Sequence, residues 1–161
     1  MAAEQAAKLA RTNGSRRVHV VPTTTITQGI SAMMAYDESA DLKANLEAMQ
    51  AAAEQVQSGS VTFAARDSEM SGERIKKGQI LGMEDGKITL VDNDLVDVAY
   101  RVTRRLVKKH NGSIITILYG EETEEVIANA LCERLQGRFP NAEINVINGG
   151  QPVYYFIVSV E

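Results

Sequence analysis

The hydroxyl-rich segment "PTTTITQG" at 22–29 is the part of the sequence best suited to holding a small ligand. It follows a β-branched run and precedes an apolar, helix-like stretch, so we expect it between the carboxyl end of a strand and the start of a helix. Open α/β sheets bind ligands at such positions, and hydroxyls beside free helix amides can hold a carboxylate or a phosphate. The same threonines could serve only as helix caps and turn residues, and the residues alone leave both interpretations open.

The segment "NGGQP" at 148–152 is a second motif, and it leads into a run of aromatic and β-branched residues. Two glycines and a proline favour a tight reversal before a strand. Gln151 and the aromatic side chains could instead form part of a recognition surface. Alternation along a strand would place Tyr154 and Phe156 on one face and Tyr155 on the other. The residues by themselves favour the turn interpretation.

Residues typical of catalysis are few in this sequence. His19 lies within a predicted strand, and His110 lies at the end of a predicted helix, where an imidazolium interacts favourably with the helix dipole. Cys132 lies in an apolar helix and is followed by an acid, which favours a small core or boundary residue over a nucleophile. Neither the Walker pattern nor the dinucleotide fingerprint occurs, and no metal-ligand spacing is recognisable. Taken alone, the residues predict an α/β protein that is not catalytic.

The composition is that of an ordinary globular protein, with 161 residues, 44% of them hydrophobic and 24% charged. A net charge of −4, with both signs interspersed, argues against a nucleic-acid-binding protein, which needs a clustered basic surface. The single cysteine favours a reducing compartment. No apolar run approaches the ~20 residues of a membrane span, and the first residues do not resemble a secretory signal. We therefore expect a cytoplasmic protein.

The first part of the sequence predicts helices and one strand. "AAEQAAKLA" at 2–10 is rich in helix formers and is followed by Asn13-Gly14, a typical C-cap pair. "RRVHVVP" at 16–22 predicts a strand. A helix is expected after the threonines and another at 42–56. The apolar stripe of this last helix consists of Leu42, Leu46, Met49 and Ala53.

After the polar "QSGS" at 57–60 the pattern changes to short strands, and we place the boundary between two lobes there. Strands are predicted within 61–67 and 79–91. Asp85-Gly86 in the second segment is a strong hairpin signal, because both central positions of a type I′ turn need a positive φ.

The rest of the sequence alternates between helix and strand patterns. Helices are predicted at 94–112 and 121–140, and strands at 113–120 and 142–148, the first of these buried on both faces. The core face of the first helix consists of Leu95, Ala99, Val102 and Leu106. The core stripe of the second consists of Val126, Ile127, Ala130, Leu131 and Leu135.

These elements predict an α/β fold with a mixed sheet. The β-α-β unit at 113–148 should be a right-handed crossover with parallel strands. The final strand is expected to return antiparallel to 143–148 and to complete the sheet. We expect a partial first lobe at 1–57 and a complete second lobe at 58–161.

Three stretches together resemble a known protein family. They are "MAAEQAAKL" leading to "VHVVPTTTITQGISAMMAYD", then "GQILGMEDGKI", and finally "NGGQPVYYFIVSVE". Over essentially its whole length the chain is similar to the C-terminal region of the bacterial fatty acid kinase ATP-binding subunit, in the dihydroxyacetone-kinase-like (DAK-domain) family. The resemblance implies a fragment of a two-lobed DegV-like fold, with a β-α-β crossover and a C-terminal antiparallel strand.

The family resemblance also implies a function. In that family the whole enzyme phosphorylates fatty acids to acyl-phosphates, and a separate DegV-like protein presents the fatty acid. The chain then corresponds to a non-catalytic C-terminal domain that docks this DegV-like fatty-acid-binding protein. ATP and Mg are expected in an N-terminal domain absent from this chain, which itself needs no cofactor. Further expected partners are the remaining domains of the kinase subunit, and exposed edges of a partial lobe favour a homodimer.

Particular residues can be carried over from the resemblance. The threonine segment then occupies the place of a hydroxyl-bearing loop that helps the carriers to hold the lipid carboxylate. The ligand-binding residues implied are Thr23, Thr25, Gln28 and Gly29. A partner surface or structural motif is implied for Gly149, Gly150, Gln151 and Tyr154. The alternative function is a small-ligand, fatty-acid-binding domain of the DegV type. No residue matches the family's catalytic or metal-binding motifs.

Overall fold

The structure is a computed structural model that describes residues 2–13, 18–70 and 73–161. Two compact units are present, Met1–Glu54 (unit 1) and Gln55–Glu161 (unit 2). Helices and a mixed sheet together confirm the predicted α/β class. The polar segment at 57–60 forms the start of a strand and is not a linker. The predicted lobe boundary there stays a prediction.

The first part of the chain is helical. Its helices are α1 (Ala2–Asn13), α2 (Ile26–Met34) and α3 (Leu42–Gln55). The strand predicted at 16–22 is wrong from Val18 onward, since 18–22 form no regular secondary structure. A strand must pair its backbone groups with a neighbour, and the described residues of unit 1 contain no strand. The guanidinium of Arg11 donates instead to the Val18 carbonyl, at 2.6 and 3.0 Å. The first two residues of that segment and the predicted Gly14 cap lie outside the described residues.

Helix α3 buries a different set of residues from the predicted stripe. Ala53 is buried, but Leu42 is 48% exposed, and the other two residues of the stripe are half-buried. Asn45 is buried in their place because its side chain holds the preceding turn. Its Oδ1 accepts from the Asp37 amide and its Nδ2 donates to the Asp37 carbonyl, both at 2.8 Å.

Unit 2 is built on a six-stranded mixed sheet. The strands of the chain are β1 (Gln57–Phe63), β2 (Ser68–Met70), β3 (Glu73–Ile75), β4 (Ile80–Glu84), β5 (Lys87–Asp92), β6 (Ile114–Tyr119), β7 (Glu143–Asn148) and β8 (Phe156–Val160). The large sheet has the order β5-β4-β1-β8-β6-β7, and β2 pairs separately with β3, a pair that the sequence analysis missed. Strands β6 and β7 are parallel, which confirms the predicted crossover pairing. The other neighbouring strands of the large sheet are antiparallel.

The hairpin between β4 and β5 confirms the Asp-Gly prediction. Asp85 has φ 50° and Gly86 has φ 74°, as the two central positions of a type I′ turn require. Glu84 pairs with Lys87 directly across this turn. The local sequence was sufficient here because both residues tolerate the left-handed region.

Strand β8 corrects the predicted topology. It does not pair with β7 but lies between β1 and β6, antiparallel to both. Every residue of β8 is buried. Such a strand is stable in the centre of a sheet, whereas an edge position beside β7 would expose it. The connection at 149–155, named here the crossing loop, must therefore pass across the end of β6.

Two helices cover one face of the sheet, α4 (Leu95–His110) and α5 (Glu125–Arg138). Three residues of the predicted face of α4, Ala99, Val102 and Leu106, are buried, and Leu95 is half-buried. In α5 the buried residues are Ala128, Leu131 and Leu135. The buried residues are three and four residues apart and form one stripe of the helix. Val126 and Ala130 lie outside this stripe and are exposed. The predicted stripe was wrong for those two residues.

Candidate functional site

The threonine segment begins helix α2, as the sequence predicted. Thr25 is its N-cap, with extended backbone angles (φ −130°, ψ 158°). The Thr25 Oγ1 accepts a hydrogen bond from the Gln28 amide at 3.2 Å. The Gly29 amide donates to the Thr25 carbonyl at 3.1 Å. One residue therefore satisfies two amides at the start of the helix.

The side chain of Gln28 bonds back to Thr24, the residue before the N-cap of α2. Its Oε1 accepts from the Thr24 amide at 2.9 Å and from the Thr24 hydroxyl at 3.0 Å. Thr27 is buried, and its hydroxyl lies 3.3 Å from that of Thr25. A Cβ on Gly29 would lie 3.9 Å from the Thr23 Oγ1. The four residues named from the resemblance thus lie together at the start of α2, where the Thr25 hydroxyl and the Gln28 side chain form the cap.

The crossing loop is fixed to the ends of the neighbouring strands. The Gly149 amide donates to the Tyr119 carbonyl at 3.0 Å, at the end of β6. Gly150 has φ 58°, and its amide donates to the Asn148 Oδ1 at 3.1 Å. The Gly120 amide donates to the Tyr155 carbonyl at 3.0 Å. The start of the loop is therefore bonded to the end of β6, and its later part to the residue that follows β6. The bends of the loop lie at 152, 153 and 155, so a tight reversal made by the two glycines stays a prediction.

Gln151 stabilises this loop through hydrogen bonds of its side chain and its backbone. Its Nε2 donates to the Leu118 carbonyl at 3.0 Å and to the Tyr154 carbonyl at 3.3 Å. Its backbone carbonyl accepts from the Glu121 amide at 3.1 Å. Since both side-chain contacts end on carbonyls, the position requires a hydrogen-bond donor.

Val153, at the outer bend of the loop, has an unusual backbone conformation. Its φ is 72°, which is strained for a β-branched residue. The Thr62 hydroxyl of β1 holds it by donating to the Val153 carbonyl at 2.7 Å. Val153 is 57% exposed and Tyr154 is 37% exposed. No sequence signal marks Val153, because the partner that holds it lies 91 residues earlier in the chain.

The aromatic residues after the loop only partly follow the predicted alternation. Phe156 is the first residue of β8 and is fully buried. Tyr155 is half-buried, with its ring centroid 5.9 Å from that of Phe63. Tyr154 lies before the strand begins, so the predicted face that it would share with Phe156 was wrong.

The other candidate residues carry no catalytic arrangement in the part of the chain that the structure describes. His19 is exposed, and the predicted strand around it is absent. His110 lies in the last turn of α4, as predicted. Burial, and then the neighbouring Glu133 carboxylate, raise the pKa of the Cys132 thiol, which makes it a poor nucleophile at neutral pH.

A charged network between α4 and α5 was not foreseen. Asp97 accepts from Arg134 at 2.7 Å and from Arg101 at 3.3 Å. The Arg134 hydrogen bond in particular, helped by Arg101 and opposed by burial, lowers the pKa of Asp97 below its usual value. The Arg134 guanidinium also lies 4.1 Å from the ring centroid of Tyr100. Only the Asp97–Arg101 pair, four residues apart, had a recognisable sequence signal.

Within 2–13, 18–70 and 73–161, no helix is both long and apolar enough to span a membrane. Over the same residues, no group of three or more His, Cys, Asp or Glu side chains is arranged to hold a metal ion.

Solved structures similar to this chain share its fold. A DegV family protein from Thermus thermophilus, described by its fatty acid binding, aligns with a TM-score of 0.60 and 15% identity. It matches 98% of this chain and 65% of that one. A DegV family protein from Eubacterium eligens, loaded with heptadecanoic acid, has a TM-score of 0.56 and 13% identity. It matches 84% of this chain and 55% of that one. The fold is therefore DegV-like.

Sequence relatives extend over the full chain. A protein of Staphylococcus haemolyticus is 39% identical over 162 residues, and protein YloV of Bacillus subtilis is 35% identical over 161 residues. In both cases the match covers all of this chain and 28% of the relative's length. The family model for the C-terminal domain of FakA-like fatty acid kinase subunits matches residues 1–161. The chain therefore belongs to the FakA-like C-terminal family of fatty acid kinase subunits.

Proposed function

We propose that this chain is a non-catalytic docking and scaffold region of a fatty acid kinase subunit, and that its partner is a DegV-like fatty-acid-binding protein. The match of the whole chain to the C-terminal region of that subunit carries the proposal. A kinase whose substrate is insoluble gains from a domain that captures the protein carrying it. The DegV-like fold supplies a large α/β scaffold for such a contact.

The rest of the kinase subunit is the second partner in this proposal. The relatives are much longer than this chain, which spans 28% of their length. We assign ATP and Mg, and the transfer of phosphate to the fatty acid, to those other regions. The described residues of this chain form no carboxylate, histidine or thiol cluster that fits a metal ion. No step of phosphoryl transfer is therefore assigned to its side chains.

The hydrogen bonds of the threonine segment argue against a ligand site at the start of α2. The Thr25 hydroxyl and the Gln28 side chain are hydrogen-bonded within the cap of α2. A carboxylate bound there would compete with those bonds. The helix start is thus explained by local structure, and no ligand is required to satisfy it.

The proposal is tested by a binding experiment with the purified chain. The DegV-like protein of the same host, loaded with fatty acid, is immobilised, and this chain is passed over it. Saturable binding is expected, together with no ATP hydrolysis and no acyl-phosphate formation by the chain alone. The absence of binding would refute the docking role. Phosphoryl transfer by this chain alone would instead indicate an independent enzyme of the dihydroxyacetone-kinase type.

A second function, the binding of a fatty acid by this chain itself, is favoured by the fold. The Eubacterium eligens neighbour is loaded with heptadecanoic acid. Native mass spectrometry of the freshly purified chain, followed by denaturing extraction, would detect a retained lipid. The double variant Thr23→Ala/Thr25→Ala should then reduce the lipid content, whereas Thr25→Ser, which keeps the hydroxyl, should not. A chain that carries no lipid contradicts this second function.

We also propose that the chain is located in the cytoplasm. A separate proposal is that the chain associates with a second copy of itself through α2. This helix exposes an apolar face that consists of Ile26, Ile30, Met33 and Met34. Unpartnered apolar surface of this kind favours association in water. Light scattering after gel filtration should show a dimer that the double variant Met33→Gln/Met34→Gln dissociates. A monomeric wild-type chain would exclude the dimer.

A further inference from the structure

The exposed apolar side chains of unit 2 are concentrated at one end of its sheet. Strands β1, β6 and β7 all finish at this end, named here the carboxyl edge. Among the described residues of unit 2, the large hydrophobic side chains that are exposed are Ile114, Val126, Ile147, Val153 and Tyr154. All but Ile114 lie at the carboxyl edge, on the crossing loop, the end of β7 or the start of α5. Val153 and Tyr154 are consecutive on the crossing loop, and exposed apolar side chains that lie together are typical of an interaction surface.

The crossing loop presents its part of this surface rigidly. Thr62 and Gly120 fix the loop by donating hydrogen bonds to its Val153 and Tyr155 carbonyls. The side-chain amide of Gln151, within the loop, donates to the Leu118 carbonyl at the end of β6 and to the Tyr154 carbonyl. Val153 is held at φ 72° although the residue is 57% exposed. Strain of this kind persists only where the surroundings impose it. A preorganised apolar projection loses little conformational entropy when a partner covers it.

Acidic side chains flank the apolar projection. The exposed Glu125 begins α5, and the segment between β6 and α5 carries three further exposed glutamates, Glu121, Glu122 and Glu124. It is joined directly to the crossing loop, since the Glu121 amide donates to the Gln151 carbonyl and the Thr123 hydroxyl donates to the Tyr155 carbonyl at 3.1 Å. The charge at this side of the surface is therefore negative. It is complementary to a basic patch on a protein partner.

We propose that the carboxyl edge is the surface by which this chain binds its carrier, and that it fits an apolar recess bordered by Lys and Arg side chains. This inference rests on the proposed docking function and names the surface for it. Val153 and Tyr154 enter the recess, and the glutamates pair with the basic border. The apolar contact sets how slowly the complex dissociates, while the charges set how fast it forms.

The test measures association and dissociation rates of the fatty-acid-loaded DegV-like protein with this chain. Val153→Gly removes the apolar side chain and relieves the positive φ, so the fold is retained or stabilised. We expect at least tenfold weaker binding, mainly from faster dissociation. Glu121→Gln/Glu122→Gln should slow association severalfold and flatten its dependence on salt. Matched controls are Ile114→Ser, at the opposite end of the sheet, and Glu133→Gln, within α5.

Each outcome separates this surface from the docking function itself. Carrier binding that all four variants retain would overturn the assignment of the surface and leave the docking function standing. Loss of binding in the controls as well as in the edge variants would also overturn it. If the glutamate variant binds more slowly but Val153→Gly binds like the wild type, the contact is only a non-specific electrostatic attraction. The proposed apolar recess would then be rejected. A wild-type chain that does not bind the carrier would overturn both proposals.

Discussion

Gly120 lies directly against the Tyr154 carbonyl oxygen, so a side chain at position 120 would occupy the space that the crossing loop uses. A Cβ built on Gly120 would fall inside contact distance of that oxygen and 2.6 Å from the Gln151 carbonyl oxygen. Both obstacles are backbone atoms, which cannot rotate away. This close approach is what allows the chain to pass from β7 across the end of β6 into β8.

Gly120→Ala should therefore destabilise unit 2. Overpacking against fixed atoms costs about 1–3 kcal/mol of unfolding free energy, and here it should also displace the crossing loop. Urea denaturation followed by circular dichroism measures the loss. Gly137→Ala, in helix α5, is the matched control, because its added Cβ would meet no atom within 4 Å other than its chain neighbours and the nearby backbone of its own helix. The unfolding free energy of that control should rise by about 0.5 kcal/mol. Equal stability of the two variants would show that Gly120 is not needed for the close approach of the crossing loop.

Local signals predicted the elements of unit 2 better than its topology. Asp85-Gly86 specified a hairpin, and the spacing of Ala99, Val102 and Leu106 specified a buried helix face, because each signal lies within one turn or one element. The position of β8 in the sheet depends on its pairing with β1 and β6 on either side. These strands are distant in the sequence, so no local signal specifies the pairing.

The candidate sites show the same division between local and distant information. The capping role of Thr25 could be predicted from its position before an apolar helix. The strained Val153 could not, because its restraint comes from Thr62, 91 residues away. The Asp97–Arg134 pair spans two helices and had no sequence signal. The strand predicted at 16–22 failed because no strand within the described residues of unit 1 is available to pair with it.

A second glycine, Gly59 in β1, sets how closely α4 packs on the sheet. A Cβ at this position would lie 2.5 Å from the Val102 Cγ1 and 3.1 Å from the Leu106 Cδ1. Gly59→Ala should lower the unfolding free energy by about 1–3 kcal/mol through overpacking. Val102→Ala alone should cost about 1–3 kcal/mol through the cavity it leaves.

The combination of these two substitutions tests whether they share one contact. The double variant Gly59→Ala/Val102→Ala should be less destabilised than the sum of the single effects, because the new methyl occupies the space that Val102 vacates. Chemical denaturation of the wild type and the three variants gives the four unfolding free energies of this double-mutant cycle. Additive losses would show that the helix–sheet distance is not set by this contact.

Asp97 should make the stability of unit 2 dependent on acid pH. Its pKa is lowered in the folded chain, above all by the Arg134 hydrogen bond, so the ionised form is the stabilising one. The stabilisation is complete above the unfolded pKa of about 3.9 and disappears as the pH falls through the lower folded value. Because Arg134 is partly exposed and solvent screens the pair, Asp97→Asn should cost about 1 kcal/mol or less at pH 7.

The comparison with Asp97→Asn isolates this pH effect from other acid-sensitive groups. The difference in unfolding free energy between wild type and variant should shrink below pH 4, and it should also shrink at high salt at pH 7. Arg134→Gln should remove most of the effect of the Asp97 substitution in a double-variant cycle. A difference that is unchanged from pH 7 to pH 2 would contradict the ion pair as its source.

The N-cap of α2 gives a prediction that separates structural from ligand-binding roles of the threonine segment. Thr25→Ala removes the oxygen that accepts from the Gln28 amide, and an N-cap loss of this kind costs about 1 kcal/mol. Amides at the start of α2 should then exchange with deuterium roughly fivefold faster, whereas Thr25→Ser should leave them protected. The effect should be the same in chain stripped of any lipid, since the cap needs no ligand. Protection that depends on added fatty acid would instead show that the hydroxyl binds it.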